Sequence, residues 1–313
     1  MEPARPPENE RELLDGLLAT AHVDNGDDAA PLRIPSGIAC MSTDATVAGV
    51  HAPLATTPHA LGRRAVARAL SDLAAMGAAP VAVTVAQLVP AGRWDDAQAA
   101  AAGARELARE RGCDVVGGDV CEIDRSAPAS LIVTVVGTRT AGSPTTANRS
   151  FVQRDGARIG DVVLVTGLLG GSGVALRAGR YELPEPPDRL RAGQLLARHA
   201  TSMIDVSDGI ATDARHLADA SGHGIGIDVA QLPLAPGVTD PVAAARDGDD
   251  YELLCTIPKH RVGAAQELLA RHCSGLQLTP IGEVAHDVDG LLLHERGERL
   301  FAASGFVHGD AGT

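Results

Sequence analysis

Short runs of valine, isoleucine, leucine and alanine recur along this chain, and polar stretches bearing glycine, serine or aspartate separate them. The runs at residues 38–42, 81–89, 115–116 and 131–138 are rich in β-branched residues and predict strands. Between them, residues 58–76 and 95–111 carry alanine, leucine and arginine with apolar positions three or four apart, which predicts two helices. Residues 10–20 show the same period over a shorter length. A polar stretch at 140–155, with Gly142-Ser143-Pro144, follows neither apolar period and predicts a connection between domains. Beyond it, strands are expected at 162–166, 203–206, 225–229, 252–257, 278–284 and 291–293, and helices at 174–178, 189–199, 211–220 and 261–272. Helices and strands mix in both stretches. The expected fold class is therefore α/β (α+β) with two mixed domains, residues 1–140 and 141–313, and a site between them.

Composition narrows the chemistry. A chain of 313 residues that is 45% apolar can bury a substantial core. Its net charge of −13 leaves no basic footprint for nucleic acid or an anionic membrane. Aromatic residues make up only 2%, so platforms for stacking bases are lacking. The five cysteines are odd in number and never form a Cys-x-x-Cys pair, which argues against zinc clusters and a disulfide framework. The single lysine, Lys259, follows no glycine-rich loop, so the Gly-x-x-x-x-Gly-Lys phosphate loop is excluded. Gly-x-Ser-x-Gly does not occur, and a covalent nucleophile is not indicated. The first residues have no apolar signal core and no run approaches the ~18 apolar residues of a membrane span. A cytoplasmic location is the expectation.

What remains is a repeated punctuation of acids and hydroxyls along both halves of the chain. Asp27-Asp28, Ser42-Thr43-Asp44, Ser71-Asp72, Gly117-Gly118-Asp119, Asp205-Val206-Ser207-Asp208-Gly209 and Asp249-Asp250 share it. Hard oxygen ligands of this kind suit magnesium, and glycines let phosphate approach the backbone. A magnesium ion takes one or two carboxylates and keeps water, so this many acids predict at least two ions. Any one of these aspartates is equally served by a helix cap, a turn or a solvated charge; it is the set that points to metal-assisted phosphoryl transfer. Asp72 carries extra weight, because it interrupts an apolar helix pattern where a carboxylate must be paired, bind metal or face solvent. Arg154 is a candidate phosphate fork, His51 a candidate phosphate partner in a loop, and 167–173 a glycine-rich turn before a helix.

Read together, the motifs resemble the thiamine-monophosphate kinases of the aminoimidazole-ribonucleotide-synthetase-like superfamily. The matching segments are Asn25-Gly-Asp-Asp-Ala-Ala30, Ser42 through His51, Leu70 through Pro80, Gly117-Gly-Asp119, Arg154 through Asp161, Ile204 through Gly209 and Gly248 through Leu253, in the family's order. The resemblance implies ATP as co-substrate, several Mg2+ ions, and direct transfer of the γ-phosphoryl group to thiamine phosphate without a phosphoenzyme. It also implies a homodimer whose N-terminal domains pair their sheets in a barrel, acting on a small-molecule phosphate with no nucleic acid or membrane partner. Motif by motif, Asp28, Ser42, Thr43, Asp44, Asp72, Asp119, Asp205 and Asp208 fall on metal positions. Gly118, Asp119, Arg154 and Ser207 fall on nucleotide positions, and His51, Asp249 and Phe306 on substrate positions.

The chain also departs from the family pattern. Asp249 stands where the family has glutamate, Glu185-Pro-Pro-Asp-Arg189 replaces Arg-Pro-x-Pro-Arg, and Gly171 takes the place of an acid. These changes lie on the acceptor side and leave the metal and phosphate motifs whole. Two rival readings follow: a related kinase with another small-molecule acceptor, and a non-catalytic nucleotide-binding protein that keeps the fold. Relatives that need a reactive cysteine near the N-terminus or at the C-terminus do not fit, since the first cysteine is Cys40 and the chain ends Gly309-Asp-Ala-Gly-Thr313.

Overall fold

A computed structural model describes residues 27–34, 37–139, 150–179, 183–286, 290–295 and 298–299. The helix expected at 10–20, most of the connection at 140–155, and Phe306 lie outside the described residues. Strands β1 (Ala30–Ile34), β2 (Gly37–Val47), β3 (Ala79–Pro90), β4 (Asp114–Ile123) and β5 (Ser130–Thr138) form one sheet in the order β1-β2-β5-β3-β4. The pairs are antiparallel except β3 with β4, which run parallel and are joined by helix α2 (Trp94–Glu110). Parallel neighbours need such a crossover, and Asp95 and Asp96 in its first turn complement the helix dipole.

Helix α1 (Pro58–Ala75) connects β2 to β3. Thr57 caps it by accepting from the Ala60 N–H at 3.3 Å, and Pro58 supplies the preset φ of a first turn. Along β3 and β5 the buried residues alternate, with Val83, Val85 and Val89 and with Leu131, Val133 and Val135 turned to one face. The opposite face exposes Met41, Val81 and Val116.

The second sheet has the order β12-β11-β8-β10-β6-β9-β7. Its strands are β6 (Asp161–Thr166), β7 (Ser202–Asp205), β8 (Gly224–Asp228), β9 (Leu253–Pro258), β10 (Leu278–Ala285), β11 (Leu291–Glu295) and β12 (Glu298–Arg299). The helices are α3 (Gly171–Arg177), α4 (Leu190–Leu196), α5 (Ile210–Ser221), α6 (Pro241–Arg246) and α7 (Val262–His272). β1, β12 and α6 went unpredicted, although Asp240-Pro241 is a helix-start signal: Asp240 accepts from the Val242 and Ala243 N–H groups. The paired glycines 117 and 118 sit inside β4, not at a strand end as expected, because β4 continues to Ile123 alongside β3.

One core joins the two sheets. Leu61, Val66 and Leu73 of α1 belong to the same buried cluster as Leu195 of α4, Met203 of β7 and Leu253 of β9. α1 is thus held from both sides, by the first sheet and by α4 and β7. Backbones approach closely at Gly193, where a Cβ would stand 1.9 Å from the Ala74 carbonyl oxygen. Gly193→Ala is therefore expected to cost about 1–3 kcal/mol or more, because both partners are backbone and α1 cannot yield locally. Urea denaturation checks this, and an unchanged midpoint would contradict the contact.

Candidate active site

Ser42, Asp44 and Thr46 point from β2 toward α1, since alternate strand residues share a face. Asp72 meets Ser42, whose hydroxyl donates to its carboxylate at 2.5 Å. Asp28, in the segment entering β1, and Asp205, at the end of β7, converge on Asp72, with carboxylate oxygens within 4.8 Å of one another. Three acids from distant points in the chain are thereby gathered in buried surroundings. Burial, then Asp205 and Asp28, pushes the Asp72 carboxyl well above the usual carboxylate range. Asp205 is pushed up to about 8, first by burial and then by Asp28. Such a cluster is electrostatically incomplete by itself and fits a hard divalent cation.

Arg154 supplies part of the missing charge. Its guanidinium donates to both oxygens of Asp28, at 3.3 and 2.9 Å. Asp27 accepts from the Arg154 N–H and from Gln153, both at 2.7 Å, and so ties this segment to the start of β1. The two adjacent aspartates divide the work: Asp27 holds backbone and Asp28 faces the site.

The turn at 205–209 is interlocked with that at 248–252. The Asp249 and Tyr251 N–H groups donate to the carbonyls of Ser207 and Val206, at 2.7 and 2.8 Å. Asp249 and Tyr251 adopt φ of 72° and 51°, a conformation that costs side-chain-bearing residues about 1–3 kcal/mol each and is held by this interlock. Asp250 accepts from the Gly170 N–H and fixes the glycine-rich turn before α3; burial pushes its carboxyl up to about 8. Glu252 accepts from Arg189 at 2.5 and 2.7 Å and from Thr166, so the altered Glu185–Arg189 element is anchored under the site.

His51 lies in the turn after β2, its Nδ1 accepting from the Val47 N–H at 3.0 Å, which puts the proton of a neutral ring on Nε2. Arg64 of α1 joins the substrate-side residues: it donates to the His51 carbonyl at 2.9 Å, to the Pro184 carbonyl at 2.8 Å, and to both Asp249 oxygens. Ser207 sits in the 205–209 turn beside Asp208.

Two expected metal residues lie elsewhere. The strand register puts the side chains of Thr43 and Asp119 on the exposed face of the first sheet, opposite to Asp44, and the Thr43 hydroxyl meets Thr134 at 2.9 Å. Gly118 faces the helix side of β4, where a Cβ would stand 2.0 Å from the Val85 carbonyl. Three strand spacings, about 14 Å, separate β4 from β2 in the sheet.

Sequence reasoning missed Arg64, Arg68, Asp213 and His216. Asp213 is buried in the first turn of α5, accepts from the Asp208 N–H at 3.1 Å, and forms a second group of metal-ligand type with Asp208 and His216. Burial, then Asp208 and Asp205, holds its carboxyl well above the ordinary range. The three-residue spacing of Asp213 and His216 on one helix face was the available signal. Cys40 and Cys255 are not poised as nucleophiles: burial pushes both thiols up to about 12.

This arrangement of two sheets with their helices matches known proteins. Residues 26–139 match the family model of the AIR synthase related protein N-terminal domain, and residues 158–292 that of its C-terminal domain. The class is thus that of AIR-synthase-related proteins with both characteristic halves. Thiamine-monophosphate kinase from Halobacterium salinarum is 35% identical over 95% of this chain and 98% of its own length. The Escherichia coli protein of that name is 33% identical over 87% of each. A solved structure, AaThiL complexed with AMPPCP and TMP, superposes with a TM-score of 0.80 at 29% identity, covering 98% of this chain and 100% of that one. The chain belongs to the thiamine-monophosphate kinase family. No helix among the described residues is long and apolar enough to cross a membrane.

Proposed function

We propose that this protein transfers the γ-phosphoryl group of ATP to thiamine monophosphate, producing thiamine diphosphate and ADP. The observation that carries the reading is the convergence of Asp28, Asp72 and Asp205, in a chain 35% identical to a thiamine-monophosphate kinase. In the reaction an oxygen of the acceptor phosphate bonds to the γ-phosphorus as the bond to the β,γ-bridging oxygen breaks, and ADP leaves with that electron pair. Phosphoryl transfer asks a protein for alignment and charge neutralisation more than covalent chemistry.

Asp28, Asp72 and Asp205 would hold Mg2+, with Asp44 and Ser42 along β2 and Asp208 beyond β7 extending the set. Bound magnesium neutralises phosphate oxygens and the charge that develops between donor and acceptor. Arg154, braced by Asp28, Gly118, Asp119 and Ser207 are assigned to the nucleotide. His51, Asp249 and Phe306 are assigned to the acceptor. The exposed apolar face bearing Met41, Val81 and Val116 supports a homodimer joined through the first sheets. Such pairing would give Thr43 and Asp119, on that same face, a place in an assembled site. The domains are assigned as 1–140 for metal, nucleotide and pairing, and 141–313 for completing the site, in a cytoplasmic enzyme.

Incubation with ATP, Mg2+ and thiamine phosphate is expected to yield ADP and thiamine diphosphate in equal amounts, read by chromatography. ADP formed only with a different acceptor would sink the thiamine assignment. Tight ATP binding without transfer to any acceptor would leave a nucleotide-binding protein.

A further inference from the structure

Helix α1 carries Arg64, Arg68 and Asp72 at four-residue intervals, so the three side chains lie on one stripe of the helix. Each meets a partner along β2 and the turn after it. Asp72 takes the Ser42 hydroxyl, Arg68 reaches Asp44 and Thr46, and Arg64 donates to the His51 carbonyl. The row of contacts between helix and strand therefore passes from Asp72, of the Asp28-Asp72-Asp205 acids, to two guanidinium groups at its other end.

The two arginines are not equivalent. Arg64 spends its donors on His51, Pro184 and Asp249. Arg68 has a side chain only 10% exposed and stands 5.9 Å from the ring centre of Tyr251. Its Nη1 donates to Thr46 and its Nη2 to Asp44, both at 3.3 Å. Its Nε lies 3.2 Å from the other Asp44 oxygen but outside hydrogen-bond geometry, and is buried without a hydrogen-bond partner. A buried N–H left in this state is costly, and a guanidinium offers the planar fork that suits phosphate oxygens. On the assignments proposed above, Arg68 stands between the metal residues Asp44 and Asp72 and the acceptor residues His51 and Asp249.

We infer that Arg68 binds and orients the phosphate of the acceptor, its Nε–H donating to a phosphate oxygen while Asp44 and Thr46 hold the fork. The inference rests on the phosphotransferase reading. Two anionic phosphates have to approach within bonding distance, and a fixed cation beside the acceptor offsets their repulsion next to a group of acids.

The test compares wild type with Arg68→Met and Arg68→Lys. Kinetics are measured with ATP and thiamine phosphate varied in turn. Calorimetry measures binding of thiamine phosphate and of unphosphorylated thiamine to the protein with Mg2+ and a non-hydrolysable ATP analogue. For Arg68→Met, KM for thiamine phosphate is expected to rise about ten- to a hundredfold, the loss of one charge-assisted hydrogen bond, while KM for ATP and the affinity for thiamine stay unchanged. Arg68→Lys keeps the charge without the fork and is expected to lose part of the preference for the phosphorylated ligand; it serves alone if the methionine variant does not fold. A variant that keeps the wild-type preference for thiamine phosphate over thiamine overturns the inference. So does an equal loss for both ligands, which marks a packing role. Wild-type protein that makes no thiamine diphosphate overturns the phosphotransferase reading instead, and this inference with it.

Discussion

Asp72→Asn is expected to lower kcat by about a thousandfold or more, because it removes charge from the acid cluster where a metal ion would neutralise phosphate. The Asp72 carboxylate lies within 4.8 Å of those of Asp28 and Asp205, and Ser42 donates to it from β2. Asparagine has nearly the same shape and still accepts from Ser42, so the fold should persist. The measurement is single-turnover transfer from ATP, alongside circular dichroism to verify folding. A folded Asp72→Asn protein with wild-type turnover would remove Asp72 from the metal set.

The second large effect is on stability without divalent cations. The Asp205 carboxyl is raised from 3.8 to about 8, so the folded protein holds a proton that the unfolded chain has released over that interval. Stability of the metal-free protein should therefore fall as pH rises from about 4 to about 8 and level off above, the direction set by the native state binding more protons. Asp205→Asn removes a buried ionisation. Above about pH 8 it is expected to make the metal-free protein more stable by on the order of 2 kcal/mol or more. The same variant should lose most of the rise in Tm that Mg2+ produces in wild type, since the ion no longer relieves the repulsion. Thermal scans in chelator and in Mg2+ across this range check both arms. A wild-type profile in chelator that does not fall with pH, or an asparagine variant that Mg2+ stabilises as strongly as wild type, would refute the account.

Much of the site was legible because its signals are local. An aspartate inside an apolar helix pattern is anomalous whatever surrounds it, and Asp72 lies in one group with Asp28 and Asp205. The apolar runs of β3, β5, β6 and β9 were visible because at least one face of each is buried. β4 was harder to see. Nearly all its residues are exposed, so no apolar alternation marks its length, and its two glycines read as an ending. Its extent depends on pairing with β3, which lies some thirty residues earlier in the chain.

Arg64 and Arg68 were invisible for a related reason. An arginine in an alanine-rich helix is ordinarily a solvated charge, and nothing nearby in the sequence distinguishes these two. Only packing of α1 between the two sheets turns them inward, and Arg64 then meets an aspartate 185 positions away. Thr43 shows the converse: it neighbours Asp44 in sequence, yet the pleat of β2 turns it to the exposed face.

The chain by itself established the α/β class, the order of acidic motifs along both halves, and the oxygen-ligand character that points to magnesium and phosphate. Those properties depend on residue type and short spacing, which neighbouring residues encode. Which acids share a cluster, which face each strand presents and which arginines turn inward were settled by folding. They depend on strand register and on burial between segments far apart in sequence, where one step of register or a quarter-turn of helix moves a side chain from the site to solvent.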